Sequence, residues 1–321
     1  MGTRILISRT DSIGDVILTL PILGVIKSYW PKARITFLGN AYTKAIIESC
    51  EYVERFIDIK DITVEEIIIA KFDYVIHVFP NKKVAKLCKD AGIKARIGTS
   101  HRLFHWFTCN KLVNLSRKKS DLHEAQLNIK LLSPLKFNTN FSTKQLAQYY
   151  GWKNSRDMKD KVSNNKLNLI FHMKSKGSAA EWPVNKYMEL TKQLDPNKYK
   201  IYITGTQAEG ELIKAECKEI FDIPNVEDVT GKYNLEEFIS FVAAVDGLLA
   251  CSTGPLHIAA ASGIHALGLY PNVRPMHAGR WAPIGEKSQT ISANIHEIDQ
   301  KRYLDVSPND VLREIIKWTK N

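Results

Sequence analysis

The stretch RILISRTDSIGDVILTLP, Arg4 to Pro21, passes from a β-rich run through a polar turn into a helical run. Arg4–Ser8 reads as a strand. Arg9, Thr10, Asp11, Ser12 and Gly14 make the turn, and Asp15 falls in the first turn of the helix. Pro21 should kink or end that helix, because its ring lacks an N–H and clashes one turn back. Strand, turn and helix in this order open a parallel α/β sheet, in which ligands bind outside the carboxyl ends of the strands.

Working outward, the same alternation fills the chain. Arg34–Leu38, Val53–Ile57 and Tyr74–Val78 are further β-rich runs of the first half. Leu167–Phe171, Lys200–Thr204, Gly247–Ala250 and Ala266–Tyr270 follow in the second, with helices near Val184–Leu194, Ala208–Phe221 and Leu235–Ala244. Between them, about Ser155–Lys166, SRDMKDKVSNNK has almost no apolar anchor and reads as a linker. A chain of 321 residues exceeds an ordinary single domain. We therefore expect an N-terminal domain over 1–155 and a C-terminal domain over 166–305, with open sheets facing across a cleft.

Hydrophobic residues at 44% and charged residues at 25% fit a globular protein and exclude a disordered or fibrous one. The apolar run Val16–Ile26 is broken by Thr19, Pro21 and Gly24 and preceded by Asp11 and Asp15, unlike a secretory leader, so a cytoplasmic protein is expected. Cys50, Cys88, Cys109, Cys217 and Cys251 form no C-x-x-C pair, which speaks against a disulfide framework or a zinc site. The net charge of +11 is concentrated: Lys82 to Lys119 holds eleven Lys or Arg against one acid, Asp90. Arg96 and Arg102 lie in this window. It is either a solvated basic face or a docking surface for something anionic. Nucleic acid is a weaker candidate, since no binding motif accompanies the charge.

Two turns carry chemistry. In the first, Asp11 or Ser12 caps the helix, or Asp15 projects from the strand end as a base acting on a hydroxyl. The second is LLACSTGPLHIAAASG, Leu248 to Gly263, where an apolar strand meets Ser252, Thr253 and Gly254 before a small-residue helix. Amides, a hydroxyl and a helix N-terminus converging there suit a diphosphate, and His257 adds a donor. A buried helix start with a satisfied histidine explains the same pattern.

The pairing of SIGDVILTLP with STGPLHIAAA resembles glycosyltransferase family 9, the bacterial heptosyltransferases of lipopolysaccharide core assembly. HEAQLN at His123–Asn128, EWP at Glu181–Pro183, TGTQAEGE at Thr204–Glu211 and TGKYNLEE at Thr230–Glu237 extend the match in order along the chain. The resemblance implies a GT-B fold of two Rossmann-like domains, with the acceptor on the first and the nucleotide-sugar on the second. It implies a last helix, about 309–319, that packs back on the first domain. It also implies inverting transfer with no metal and no cofactor. The co-substrate is a nucleotide-sugar, ADP-linked by analogy. The partners are then an anionic glycolipid or glycan acceptor and the inner-membrane surface. By position Asp15 matches the family's base, with Ser12, Gly14, Arg96 and Arg102 expected on the acceptor side. Ser252, Thr253, Gly254 and His257 fall where the diphosphate and donor sugar bind, Glu209 where the ribose is held, and Lys232 and Tyr233 where the base is lined.

Two positions depart from the family. Ala180 stands where a lysine commonly neutralises the leaving diphosphate, so Lys174 or Lys176 is expected to substitute. Ser252 stands where many members carry Asp, a contact to the donor sugar, which leaves the sugar unassigned. Two other activities use the same nucleotide site: a GT-B nucleotide-sugar epimerase, which needs no acceptor, and a non-catalytic nucleotide-sugar-binding protein.

Overall fold

A computed structural model of the chain describes residues 2–154, 156–175, 177, 179–298 and 301–320. It divides into two compact units, Met1–Lys153 and Asn154–Asn321.

The first unit carries β1 (Arg4–Ser8), β2 (Arg34–Gly39), β3 (Val53–Asp58), β4 (Tyr74–His77), β5 (Ala95–Thr99) and β6 (Lys111–Val113) in one sheet, ordered β3-β2-β1-β4-β5-β6. Every neighbouring pair is parallel. Its helices are α1 (Ile13–Ile17), α2 (Pro21–Tyr29), α3 (Lys44–Glu48), α4 (Val64–Ala70), α5 (Lys82–Asp90), α6 (Leu103–Thr108), α7 (Glu124–Lys130) and α8 (Thr143–Leu146). Ile5, Leu6 and Ile7 are fully buried, as a central strand covered on both faces requires. Pro21 acts as expected: α1 stops at Ile17, and the proline opens α2, where its missing N–H costs nothing.

The second unit repeats the plan with β7 (Leu167–His172), β8 (Tyr199–Thr204), β9 (Val226–Asp228), β10 (Gly247–Cys251), β11 (His265–Pro271) and β12 (Ser288–Ala293), ordered β12-β11-β10-β7-β8-β9 and again parallel. A separate antiparallel hairpin joins β13 (Ile295–Ile298) to β14 (Lys301–Leu304). The helices are α9 (Val184–Gln193), α10 (Gln207–Cys217), α11 (Leu235–Ala244), α12 (Gly254–Ala261), α13 (Ala278–Trp281) and α14 (Pro308–Ile315). In each sheet the first strand lies mid-sheet, the chain winds outward, then returns to the other side. The reversal falls between β1 and β4 and between β7 and β10. Such switch points open a crevice at the carboxyl edge.

The polar stretch after Ser155 begins beside the boundary between the units and is pinned to the second: Arg156 pairs with Glu236 of α11 at 3.3 Å, and the Ser163 amide donates to the Asn168 side chain at 2.9 Å. Charge pairing and hydrogen bonds replace the missing apolar anchors. One expectation is corrected: the C-terminal helix, expected to pack back on the first domain, belongs to the core of the second unit. Val311 and Ile315 of α14 join Leu304, Val306 and Trp318 in the second unit's core. The Trp318 ring stacks on His265 with centroids 5.2 Å apart and lies so close to Gly247 that a Cβ there would come within 2.3 Å of it. Its apolar face is therefore already occupied.

Trp318→Ala should accordingly destabilise the second unit by about 3–5 kcal/mol, the usual cost of emptying a buried tryptophan site. Scanning calorimetry should show one lowered transition with the first unit's melting unchanged.

Candidate active site

At the first switch point the chain leaves β1 through a buried arginine. The Arg9 side chain is 3% exposed and meets three carboxylates. Its Nε donates to Asp11 Oδ1 at 2.7 Å, Nη1 to Glu124 Oε1 at 3.0 Å, and Nη2 to Asp15 Oδ1. Nη1 also reaches Asn128 Oδ1 at 3.2 Å. Arg117 binds the far side of this pair, with 2.9 Å contacts to Glu124 Oε1 and Asn128 Oδ1 and a 3.0 Å bond to the Val78 carbonyl that follows β4. Burial would drive the Arg9 proton off, but the three carboxylates outweigh it and hold its pKa above the ordinary value.

Asp15 sits in the first turn of α1, half-buried, with its second oxygen accepting from the Ser12 hydroxyl. Ser12 occupies the cap position, yet its hydroxyl makes no cap bond, and Asp11 is spent on Arg9. The capping reading of both residues therefore fails: the ion cluster captures them first. The turn itself is pinned by Tyr42, which donates to the Asp11 carbonyl at 2.6 Å, and by Asn40, which donates to the Thr10 carbonyl at 2.6 Å. Gly14 lies within α1, where its carbonyl accepts from the Leu18 amide. Burial, opposed by Arg9 and reinforced by Asp15, pushes the Asp11 carboxyl up to about 6.

Of the two arginines expected beside this site, only Arg102 stands at the carboxyl edge, exposed between β5 and α6. Arg96 is near the amino end of β5, where its guanidinium donates to the Ile93 and Thr108 carbonyls. That is the opposite edge of the sheet, so the acceptor-side expectation for Arg96 is withdrawn. Arg9, Arg117, Glu124 and Asn128 were missed. The Arg9–Glu124 contact spans 115 positions, and only the HEAQLN motif signalled that its far end mattered.

The second unit assembles its candidates along the carboxyl edge of β10, β7, β8 and β9. Thr253 caps α12 by position with Gly254 as the first helical residue, and Pro255 follows. The first-turn amides of a helix have no partner within it. The Thr253 hydroxyl is buried without a hydrogen-bond partner among the described residues, and His257 lies one turn in, 3% exposed. An orphaned hydroxyl at a helix N-terminus fits an incoming anion. Ser252 hydrogen-bonds the Tyr270 phenol, which donates to the Trp281 carbonyl at 2.6 Å. Next to Trp281 in α13, Arg280 is buried with its guanidinium 5.3 Å from the Trp281 ring centroid, a cation that the sequence reading missed because no motif surrounds it.

Beyond β7, Lys174 is committed elsewhere. Its ammonium lies 2.7 Å from Glu216 Oε1 and 3.4 Å from Glu181 Oε2, so its charge is already neutralised and it does not replace the lysine absent at Ala180. Lys176 lies outside the described residues. Glu209 closes the capping box of α10, with Oε2 accepting from the Thr206 amide at 2.6 Å and the Thr206 hydroxyl at 2.9 Å. Lys232 and Tyr233 follow β9, the lysine exposed over the tyrosine ring at 5.5 Å and the ring packed on Phe241. Among the described residues no group of three or more His, Cys, Asp or Glu could hold a metal ion.

The sequence matches the model of Glycosyltransferase family 9 (heptosyltransferase) over residues 64–309. The chain belongs to glycosyltransferase family 9. It is therefore a glycosyltransferase. A glycosyltransferase-like protein of Haemophilus influenzae is 28% identical over 308 residues, covering 90% of this chain and 88% of its own. The crystal structure of a family 9 glycosyltransferase from Veillonella parvula matches with a TM-score of 0.78 at 20% identity, over 98% of this chain and 96% of that one. The Escherichia coli heptosyltransferase WaaC, solved with ADP, matches with a TM-score of 0.75 at 17% identity, over 98% and 99%. The GT-B plan of the family is thus that of this chain.

The Asp11 carboxyl gives this site a pH signature. Its folded value of about 6 lies above the ordinary 3.8, so the native state holds more protons than the unfolded chain across that interval. Asp11's contribution to stability is therefore full below about pH 4 and lost as pH rises through about 6. Asp11→Asn should flatten that part of the stability profile, measured by urea unfolding at a series of pH values.

Proposed function

We propose that this family 9 member moves a sugar from a nucleoside diphosphate donor, an ADP-sugar, to a hydroxyl of an anionic lipopolysaccharide-type acceptor, inverting the anomeric centre without a metal. The observation that carries the reading is the Asp15 carboxylate, presented at the carboxyl edge of the first sheet and fixed by Arg9 and Ser12. A base held by an ion pair loses little orientational freedom when it meets its substrate, and general bases gain much of their effect from such placement.

In the proposed step Asp15 accepts the proton of the acceptor hydroxyl while its oxygen bonds the anomeric carbon. The bond from that carbon to the diphosphate breaks, and the nucleoside diphosphate leaves with the electron pair. The second unit receives that charge. We assign the α12 amides, the Thr253 hydroxyl and His257 to it, and electrostatic stabilisation of this kind is commonly a large catalytic term. Glu209 is assigned to the ribose through the carboxylate oxygen that Thr206 does not take, and Tyr233 with Lys232 to the face of the base. The ADP assignment is supported by the E. coli relative solved with ADP. Heptose is the sugar that the family name favours, and Ser252, in place of the usual Asp, is the residue against which it is tested.

Asp15→Asn should fold, bind ADP like the parent, and lose transfer by at least about a hundredfold, the scale of a general base. His257→Ala should instead weaken ADP roughly tenfold or more, since a hydrogen bond to a charged group is worth about 1.5–3 kcal/mol. Calorimetric titration with ADP and turnover of ADP-heptose, each with and without EDTA, measure these effects. Turnover retained by Asp15→Asn would remove the base assignment, and turnover abolished by EDTA would remove the metal-free one.

A further inference from the structure

One short helix of the first unit exposes three large apolar side chains. Helix α6 reads LFHWFT, and its Leu103, Trp106 and Phe107 are 78%, 61% and 68% exposed. Spacings of three and four put these side chains on one face of the helix. The opposite face is anchored: His105 is fully buried, with Nδ1 2.9 Å from the Thr99 carbonyl, and Thr108 donates to the Phe104 carbonyl. Trp106 is outward yet held, its indole N–H donating to the Ser100 carbonyl at 2.9 Å. Single exposed apolar residues need no explanation, but a contiguous large patch marks an interaction surface.

What surrounds the patch selects the partner. Arg102 precedes α6 and is exposed. Lys82 and Lys83, also exposed, start α5, which packs beside α6 and begins at the same carboxyl edge of the sheet. Phe79, 37% exposed, stands between them and β4. The acid of the window, Asp90, is at the far end of α5 and paired with Lys86. Cations beside an apolar face that carries an outward tryptophan match the headgroup boundary of an anionic bilayer, where indole rings settle and basic side chains meet lipid charge.

We infer that α6, with the start of α5, docks this enzyme onto an anionic lipid surface through Leu103, Trp106 and Phe107. Asp15 opens from the same edge of the same sheet. The inference deepens the proposed function, resting on it only for the idea that the acceptor is lipid-linked. No helix of the described residues is long and apolar enough to cross a membrane.

The test is co-sedimentation with vesicles of phosphatidylethanolamine and phosphatidylglycerol, beside vesicles of phosphatidylcholine alone. The parent should pellet with the anionic vesicles and much less with the neutral ones. Leu103→Ser with Phe107→Ser should lower that partition at least about tenfold. Lys82→Gln with Lys83→Gln should lower it at low salt and much less at high salt, where surface charge is screened. All of these side chains are exposed, and unchanged circular dichroism and ADP titration confirm an intact fold and donor site. No binding of the parent to anionic vesicles overturns the inference. So does equal binding by the Leu103/Phe107 variant, or a parent dimer that this variant dissolves without any vesicle binding. ADP titration of the parent reports on the proposed function separately: vesicle binding without nucleotide binding would sink that reading and leave the lipid contact standing.

Discussion

A guanidinium removed from water is costly unless carboxylates and hydrogen bonds take the place of its hydration. The first unit commits to that burial at Arg9, and much of its site follows. Three carboxylates converge on one cation, so Asp11 is drawn off capping duty, Asp15 is held at the mouth of the strand, and Glu124 is carried to full burial. Arg117 supplies a second positive charge at the same Glu124 oxygen, which brings the local balance closer to neutral. Replacing Arg9 would leave buried acids in mutual repulsion. In the proposed mechanism Arg9 positions Asp15 and does not touch the reacting atoms.

The two units solve the placement problem with one topology. Each sheet reverses direction beside its first strand, and each reversal gathers a candidate loop: Arg9 to Asp15 in one, Ser252 to His257 in the other. Placing the groups at these edges is a consequence of winding. A strand whose neighbours connect to opposite faces leaves its carboxyl end uncovered by helices.

That logic explains what could be read from the residues alone. The central strands β1, β2, β7, β8, β10 and β11 are apolar runs bounded by turn residues, so they were located almost to the residue, as were α9 and α11. β5, β6 and β9, reading ARIGT, KLV and VED, carry too little apolar pattern to stand out and are strands because neighbours pair with them. The placement of α14 went wrong for a related reason: an amphipathic helix states that it has a buried face but not which core receives it. Within the site, Asp15, Thr253 and His257 are legible because strand-turn-helix grammar puts them at a strand end. Lys174 and Arg96 show the limit of that grammar, since a cation's charge, spacing and place in a loop say nothing about the Glu216 carboxylate or the carbonyls that claim it. Arg280 shows the converse, a buried charge without any local signature.

The Arg9–Glu124 pair also orders events during synthesis. A ribosome delivers Arg9 and Asp15 long before Glu124, because 115 positions separate the two ends of the bond. Until α7 emerges, β1 can pair with β2 and bury its apolar face, but its terminal arginine has only Asp11 and Asp15 for company. The ion cluster can therefore close only once Glu124 has been made, so a chain that stopped short of it would leave the buried Arg9 without its third carboxylate.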